Sequence, residues 1–397
     1  MDEKPRTNDE IVAALERAAR SLRRQEVLLA IASFLVGLGY IVVMLAGFSA
    51  KLRDFVTGPR TPVWAVTCWY LFLFAFLYNV VHLPVSFLRG YVVEKRFRLS
   101  TQRFRRWLWS QVKKTFVAAL LVVAVGSAVY YFLARFEKTW WLWAWAVYLV
   151  FGLILNRFGG KVILPIFYKR GDIHDLDLKQ GIEELVTRAG FEVEAVKRII
   201  LEKDTRRANA AVLGLGRAKE ILVSDTLLAA LAAEEIEAVI AHELGHLKRR
   251  HGEWSFVLGM VISFLGFIIA AGVLRGAAPE LGLDGVSDVA GFPLIVLVFT
   301  GLFLVLSPVL NYISRQTESA ADLWAARFTG RPESLVSALE KIAATNLAEK
   351  DHPWLYEVLF SSHPSLAKRT KALRKLAGEL RNAAGGLRTS RCCSCAA

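Results

Sequence analysis

The stretch that decides the reading is Ala241-His242-Glu243-Leu244-Gly245-His246. On a helix, residues four apart lie about 40° from one another around the axis, so His242 and His246 can present imidazole nitrogens to one metal ion. Glu243 then flanks the ion's open position, the arrangement of a metalloprotease. The flanking sequence supports a helix over Ala233 to Arg249. Ile236, Val239 and Ile240 recur at helical spacing, Glu234, Glu235 and Glu237 stand in the first turns, and Lys248 and Arg249 in the last. The plainer alternative is an amphipathic helix carrying two surface histidines.

Working outward, the chain is too apolar for one water-soluble domain. Of 397 residues, 54% are hydrophobic, with 24 Phe and 11 Trp, and the mean hydropathy of +0.38 points to lipid. The net charge of +14 could suggest nucleic acid. The basic residues, however, collect beside apolar stretches, as the positive-inside rule expects of a membrane protein, so no nucleic-acid partner is expected. Of the four cysteines, Cys68 falls within an apolar stretch and Cys392, Cys393 and Cys395 crowd the end, so no disulfide framework is legible.

Six stretches have the length of about 20 residues that a bilayer core requires: Val27 to Phe48, Val63 to Leu88, Thr115 to Leu133, Trp140 to about Leu155, Trp254 to Leu274, and Phe292 to about Asn311. The first follows Arg17, Arg20, Arg23 and Arg24 and reads as an uncleaved span rather than a signal peptide. The segment 89–114 carries nine Lys and Arg, whereas 49–62, 134–139 and 275–291 carry three, two and one. By that asymmetry the N-terminus, the 89–114 loop, the His-Glu-x-x-His segment and the C-terminal region face the cytosol. Within the second span Asn79 and His82 are polar groups that need partners in hydrocarbon. Either an interhelical hydrogen bond or a wetted cavity satisfies them.

Between Tyr168 and Glu253, a short helix over Asp177 to Gly190 precedes strand-like runs at Arg198 to Glu202 and Glu220 to Val223, with Ala208 to Leu213 a third candidate. A small sheet beside a metal helix offers an edge on which an extended peptide can pair. Catalytic zinc usually takes three protein ligands and a water, so a third ligand is expected downstream. After the last span comes Ser314-Arg315-Gln316-Thr317-Glu318-Ser319-Ala320-Ala321-Asp322. Glu318 is an oxygen ligand suited to zinc, and Asp322, one turn later on the same face, can accept a hydrogen bond from a ligand imidazole. A solvated surface helix is the alternative for both.

The segments Leu83-Pro84-Val85-Ser86 through Val93-Glu94, Leu164-Pro165-Ile166-Phe167 and Ala208-Asn209-Ala210 come in that order. After them come the run from Ser224-Asp225-Thr226-Leu227-Leu228 to His251, then Ser314-Arg315-x-x-Glu318-x-x-x-Asp322, then Ser362-His363-Pro364 followed by Arg369. In this order and spacing the chain, from about residue 83 to 375, resembles the CAAX prenyl protease 1 family of integral-membrane zinc metallopeptidases. The resemblance implies His242, His246 and Glu318 as ligands of one zinc ion per chain and Glu243 as the base. It further implies Asn209 as a holder of the substrate backbone, and His363 and Arg369 as groups facing the tetrahedral intermediate. His251 also resembles a family position, yet by helical extrapolation it points away from His242 and reads as structural or interfacial rather than as a metal ligand. Eukaryotic members of the family have seven spans, where six are legible here.

The expected fold is therefore mainly α: a polytopic membrane helix bundle with a zincin-like cytosolic domain carrying a small β-sheet. Its parts are a cytosolic segment 1–26, spans one to four in 27–168, a protease segment 169–253, spans five and six in 254–311, the rest of the catalytic domain in 312–382, and a disordered tail 383–397. The tail is no prenylation signal, because the fourth residue from the end is Ser394. The expected function is hydrolysis of peptide bonds in membrane-associated proteins, with Glu243 taking the proton of a zinc-activated water. The resemblance leaves open C-terminal processing of prenylated proteins or general turnover of damaged membrane proteins. The second suits the bacterial inner membrane, where this six-span form is expected. A non-catalytic membrane scaffold or transporter is the rival from another class. Expected partners are a peptide or membrane-protein substrate and the lipid bilayer; the sequence does not indicate an oligomeric state.

Overall fold

The computed structural model describes residues 8–214 and 219–392. The chain begins with four long helices, α1 (Ala13–Val56), α2 (Val63–Arg96), α3 (Phe104–Arg135) and α4 (Trp140–Phe167). Each contains its predicted apolar stretch and runs past it, because helical hydrogen bonding continues into the flanking polar turns. α1 is kinked at Ala46–Gly47, where Gly47 takes φ +106°, a conformation that a side chain disfavours.

The extramembrane part that follows is built on a four-stranded mixed sheet: β1 (Arg170–Gly171), β2 (Ala195–Ile199), β3 (Ala210–Leu213) and β4 (Glu220–Ser224), in the order β1-β2-β4-β3. β2 starts and ends three residues before the predicted strand, with Val196 and Ile199 as its buried positions. Helix α5 (Leu176–Arg188) precedes β2, and β4 leads into α6 (Asp225–Ala230) through Ser224, whose hydroxyl caps the helix by accepting from Leu227 N. Next come α7 (Ala233–Lys248), which carries the His-Glu-x-x-His segment, and the fifth span, α8 (His251–Ala277).

The sixth span belongs to α9 (Phe292–Thr329), a helix of 38 residues. At 1.5 Å per residue it is about 57 Å long, nearly twice the roughly 30 Å of a hydrocarbon core. Its second half therefore stands outside the membrane as a rigid continuation of the span, and that half carries Glu318 and Asp322. α10 (Pro332–Thr345), α11 (Trp354–Phe360) and α12 (Leu366–Cys392) complete the domain. α12 runs on past Asn382, beyond which a disordered tail is expected; Cys393, Ser394 and Cys395 lie outside the described residues.

Two cores organise the molecule. In the extramembrane domain, Ile182 and Leu185 of α5, Ile221 and Val223 of β4, and Ile236, Ile240 and Leu244 of α7 pack with Ala325 and Ala326 of α9. In the bundle the six spans touch in the cyclic order α1-α2-α3-α4-α8-α9 and back to α1. The end of this ring remote from the sheet is filled by Tyr70, Phe74, Trp140, Phe267 and Leu274, and Ser49 there bridges Tyr70 at 2.5 Å and the Ala290 carbonyl at 2.6 Å.

Candidate active site

The start of α7 is secured by half of a capping box. The Glu235 carboxylate accepts from Ala232 N at 2.8 Å, and Ala232 has no side-chain oxygen to return the bond. Lys341 and Ser337 of α10 hold the same carboxylate at 2.7 and 2.6 Å. Burial would push the Glu235 pKa up, but these partners outweigh it and hold it below the usual carboxylate value. The helix ends at Lys248, and Arg250 takes a left-handed conformation, φ +55°, before α8 begins.

Gly245 sets the distance between α7 and α9. A Cβ there would stand 3.1 Å from the Ala321 carbonyl oxygen and 3.2 Å from the Ala321 Cα. Without one, the helices approach closely enough for Glu318 to reach the two histidines. His242 Nε2 and His246 Nε2 are 3.2 Å apart, and the Glu318 carboxylate oxygens lie 3.4 and 3.3 Å from them. At zinc–ligand bonds of about 2.0–2.1 Å, the edge of a tetrahedron is about 3.3–3.4 Å, so this triangle has the size of one face of a zinc coordination sphere. The donor set, two imidazoles and one carboxylate, fits a catalytic metal that keeps a position open.

Behind the donors stands a second ring of contacts. His242 Nδ1 lies 2.9 Å from Asp322 Oδ1, and Arg369 of α12 grips both Asp322 oxygens at 2.7 Å. Burial works against protonation of His242, but Asp322 and Glu318 prevail and lift its pKa to about 9. His246 Nδ1 lies 2.9 Å from His251 Nδ1. This corrects the extrapolation that turned His251 away: the helix breaks at Arg250, so the 100° step no longer applies and His251 folds back on the ligand. Glu243 is partly buried beside the triangle, and burial chiefly raises its pKa, with Glu318 adding to the rise and His242 and His246 opposing it.

A cavity of about 440 Å³ opens onto this cluster, walled by His242, Glu243, Glu318, His363, Arg369 and Asn209. The eight residues expected to bind metal or substrate or to face the reacting atoms thus lie within one site, Asp322 and His246 from behind or beside that wall. His363 Nδ1 is 3.0 Å from Glu318 Oε2 on a side chain that is largely exposed. Asn209 immediately precedes β3, the edge strand, which among the described residues pairs only with β4. Its N–H donates to Ser224 Oγ and its carbonyl accepts from Ser224 N, both at 3.0 Å, so the backbone is pinned while the side chain is exposed toward the cavity. Asn346, which the sequence did not single out, clamps Ala208 by accepting from its N–H at 2.9 Å and donating to its carbonyl at 3.3 Å. No local pattern marks that asparagine; it acts across 138 residues.

A helix bundle that carries its metal-binding triangle on two helices continuous or contiguous with the spans defines a class, the membrane-integrated metallopeptidases. Residues 172–377 match peptidase family M48, and residues 8–169 match the domain described as CAAX prenyl protease N-terminal, five membrane helices. The chain belongs to peptidase family M48. It is 27% identical over 340 residues to "Uncharacterized metalloprotease YhfN" of Bacillus subtilis, covering 85% of this chain and 80% of that protein. With CAAX prenyl protease 1 of Saccharomyces cerevisiae it is 29% identical over 335 residues, covering 79% and 73%. The fold is that of the crystal structure of S. mikatae Ste24p, with a TM-score of 0.84 over 94% of this chain and 91% of that one, at 24% identity. The protein is therefore a multi-pass membrane metalloprotease that acts on peptide substrates.

Proposed function

We propose that this protein is a zinc endopeptidase of a bacterial inner membrane that cuts membrane-associated proteins on the cytosolic side, with His242, His246 and Glu318 as ligands of one zinc ion. The observation that carries this reading is the triangle of 3.2 to 3.4 Å between those donors, with Glu243 beside it and an edge strand opening onto it. Zinc held there would lower the pKa of a water in its open position to about 7 and polarise a peptide carbonyl.

The chain's own residues do the rest. Glu243, kept from full solvation by burial, accepts the proton of the attacking water and delivers it to the leaving amine. β3 offers its unpaired edge to an extended peptide, and Asn209, which can donate and accept at once, holds one peptide unit without reading its side chain. His363, with Nδ1 held 3.0 Å from Glu318 Oε2, has Nε2 left to donate to the developing oxyanion, a contribution typically of about 3 kcal/mol. Arg369 reaches the same wall with its guanidinium anchored on Asp322, so its charge is fixed in place and fixes Asp322 in turn.

Backbone pairing is tolerant of sequence, which favours turnover of varied membrane proteins over one prenylated terminus. C-terminal processing of prenylated proteins is the second reading, supported by the names of the relatives such as CAAX prenyl protease 1. Purified enzyme offered matched peptides with and without a farnesyl cysteine separates the two. Comparable kcat/KM on both is expected; cleavage confined to the farnesylated peptide would replace general turnover by C-terminal processing.

A further inference from the structure

The first turns of α3 face the junction between α4 and β1 across a cavity of about 700 Å³, far from Glu243 in sequence and sharing no wall residue with its cavity. Arg106, Lys113, Lys114, Lys169, Lys203 and Arg207 stand in its wall against two carboxylates, Glu94 and Asp204. Both acids are already engaged. Asp204 is held by Arg106 at 2.7 Å, and Glu94 by Arg207 at 2.8 Å. Lys113 donates to the Ile166 carbonyl at 2.6 Å and stands over the Phe167 ring, 5.2 Å from its centre, contacts that leave its formal charge in place. Among the described residues none of the four lysines is paired with a carboxylate within this cavity. Four ammonium groups gathered on one concave wall repel one another and focus a positive potential into the cavity, which an anion relieves.

The depth of this cavity and its neighbour identify the anion's class. Lys113 and Lys114 directly precede the apolar stretch that starts at Thr115, and Trp109, 62% exposed on the same turns, is the kind of side chain that sits at headgroup level. Beside the cavity, Phe72, Phe76 and Val80 of α2 and Val112 and Phe116 of α3 line an apolar groove between the two helices, and Gln111 borders both spaces. A basic cavity that passes into an apolar groove along two spans matches a molecule with an anionic head and a hydrocarbon tail.

We propose that the α3–α4 cavity and the α2–α3 groove together bind one anionic phospholipid of the leaflet on the side of the 89–114 loop. Its phosphate lies among Lys113, Lys114, Lys169 and Lys203, and one acyl chain lies against Val112 and Phe116. A free phosphate shares the head chemistry but leaves the groove unfilled. Because Lys169 adjoins β1 and Lys203 follows β2, the bound head ties the bundle to the sheet at the point where the chain leaves the membrane.

The test is native mass spectrometry of the full-length protein released from micelles containing phosphatidylglycerol and phosphatidylcholine. Each lysine beside an anionic headgroup is worth roughly fivefold in affinity, so K114Q/K169Q/K203Q should retain phosphatidylglycerol on the order of 100-fold less than wild type. K114R/K169R/K203R should retain it as wild type does, and V112W, which fills the groove and leaves the cations, should lose it. Unchanged cleavage of a soluble peptide in detergent by these variants shows that they fold. Equal retention of phosphatidylcholine, retention by the glutamine variant, or displacement of the lipid by inorganic phosphate with V112W unaffected would each overturn the proposal.

Discussion

Replacing Glu243 by Gln removes a proton acceptor and leaves the three donors 3.2 to 3.4 Å apart untouched. Cleavage should fall by about 10²- to 10⁴-fold, the usual loss for a general base, while zinc content measured by atomic absorption stays at wild type. In contrast His242→Ala, His246→Ala or Glu318→Ala should lose metal and activity together. Full zinc occupancy in Glu318→Ala would mean that the third ligand lies elsewhere. The His242–Asp322 contact gives a prediction with a pH sign. In the metal-free protein His242 keeps its proton up to about pH 9, held by Asp322 and Glu318 against burial. That proton stabilises the metal-free fold fully below pH 6.5, and the contribution is lost as pH rises through 9. Metal must displace it, so apparent zinc affinity should rise about tenfold per pH unit from 6.5 and level off near 9. Asp322→Asn removes the main holder of the proton and should flatten that slope; an unchanged slope in a chelator-competition titration would refute the assignment.

Between elements, the close contact of α7 and α9 at Gly245 and the free edge of β3 make separate demands. Gly245→Ala puts a methyl group 3.1 Å from a backbone oxygen that cannot rotate away. The helices must separate, at a cost of about 1–3 kcal/mol, and Glu318 moves off the histidines. Lower Tm and weaker zinc binding should therefore appear together, whereas a drop in Tm with unaltered metal affinity would show that the helix spacing does not set the triangle. Asn209→Ala leaves the Ser224 contacts intact, since those are made by the backbone. It should slow cleavage roughly 10- to 100-fold, alike on two unrelated peptides, with no change in zinc. An activity loss that merely tracked the unfolded fraction on a melting curve would reduce Asn209 to a turn residue. These elements also show what the sequence disclosed. The spans and α7 were legible because apolar length and the period of 3.6 are local signals, and Glu318 and Asp322 because they share one helix face. Asn346, the return of His251 onto His246, and the three-residue displacement of β2 were not, since each depends on a chain break or a partner distant in sequence. The tail beyond Asn382 lacks an apolar stripe and reads as coil, although α12 carries it on as helix to Cys392.

At the scale of the whole molecule, the closed cycle of six helices has two unlike ends. One end is filled by aromatic side chains and sealed by Ser49, with Arg53 paired to the buried Asp288 just beyond. The other end passes without interruption, through α9 and the turn between α7 and α8, into the domain that bears the metal triangle. The metal triangle lies at one end of the bundle, so the orientation of the bundle decides which compartment the site faces. The charge pattern supports the proposed cytosolic orientation. Nine Lys and Arg occupy 89–114 on the domain side, against one in 275–291 at the sealed end, and insertion favours the basic side in the cytosol. The surplus at the domain side is also the surplus that builds the lysine cavity, so one feature of the sequence bears on both the proposed orientation and the proposed lipid contact. A cysteine placed at Gly285, an exposed position with positive φ in the loop at the sealed end, should react with an impermeant maleimide added to intact cells. One placed at Arg103, exposed on the other side, should react only after the membrane is permeabilised. All four native cysteines, Cys68, Cys392, Cys393 and Cys395, are replaced by serine in both variants to remove background. Labelling at 103 and protection at 285 would invert the molecule, place the metal site outside the cytosol, and shift the substrates to proteins exposed on that face.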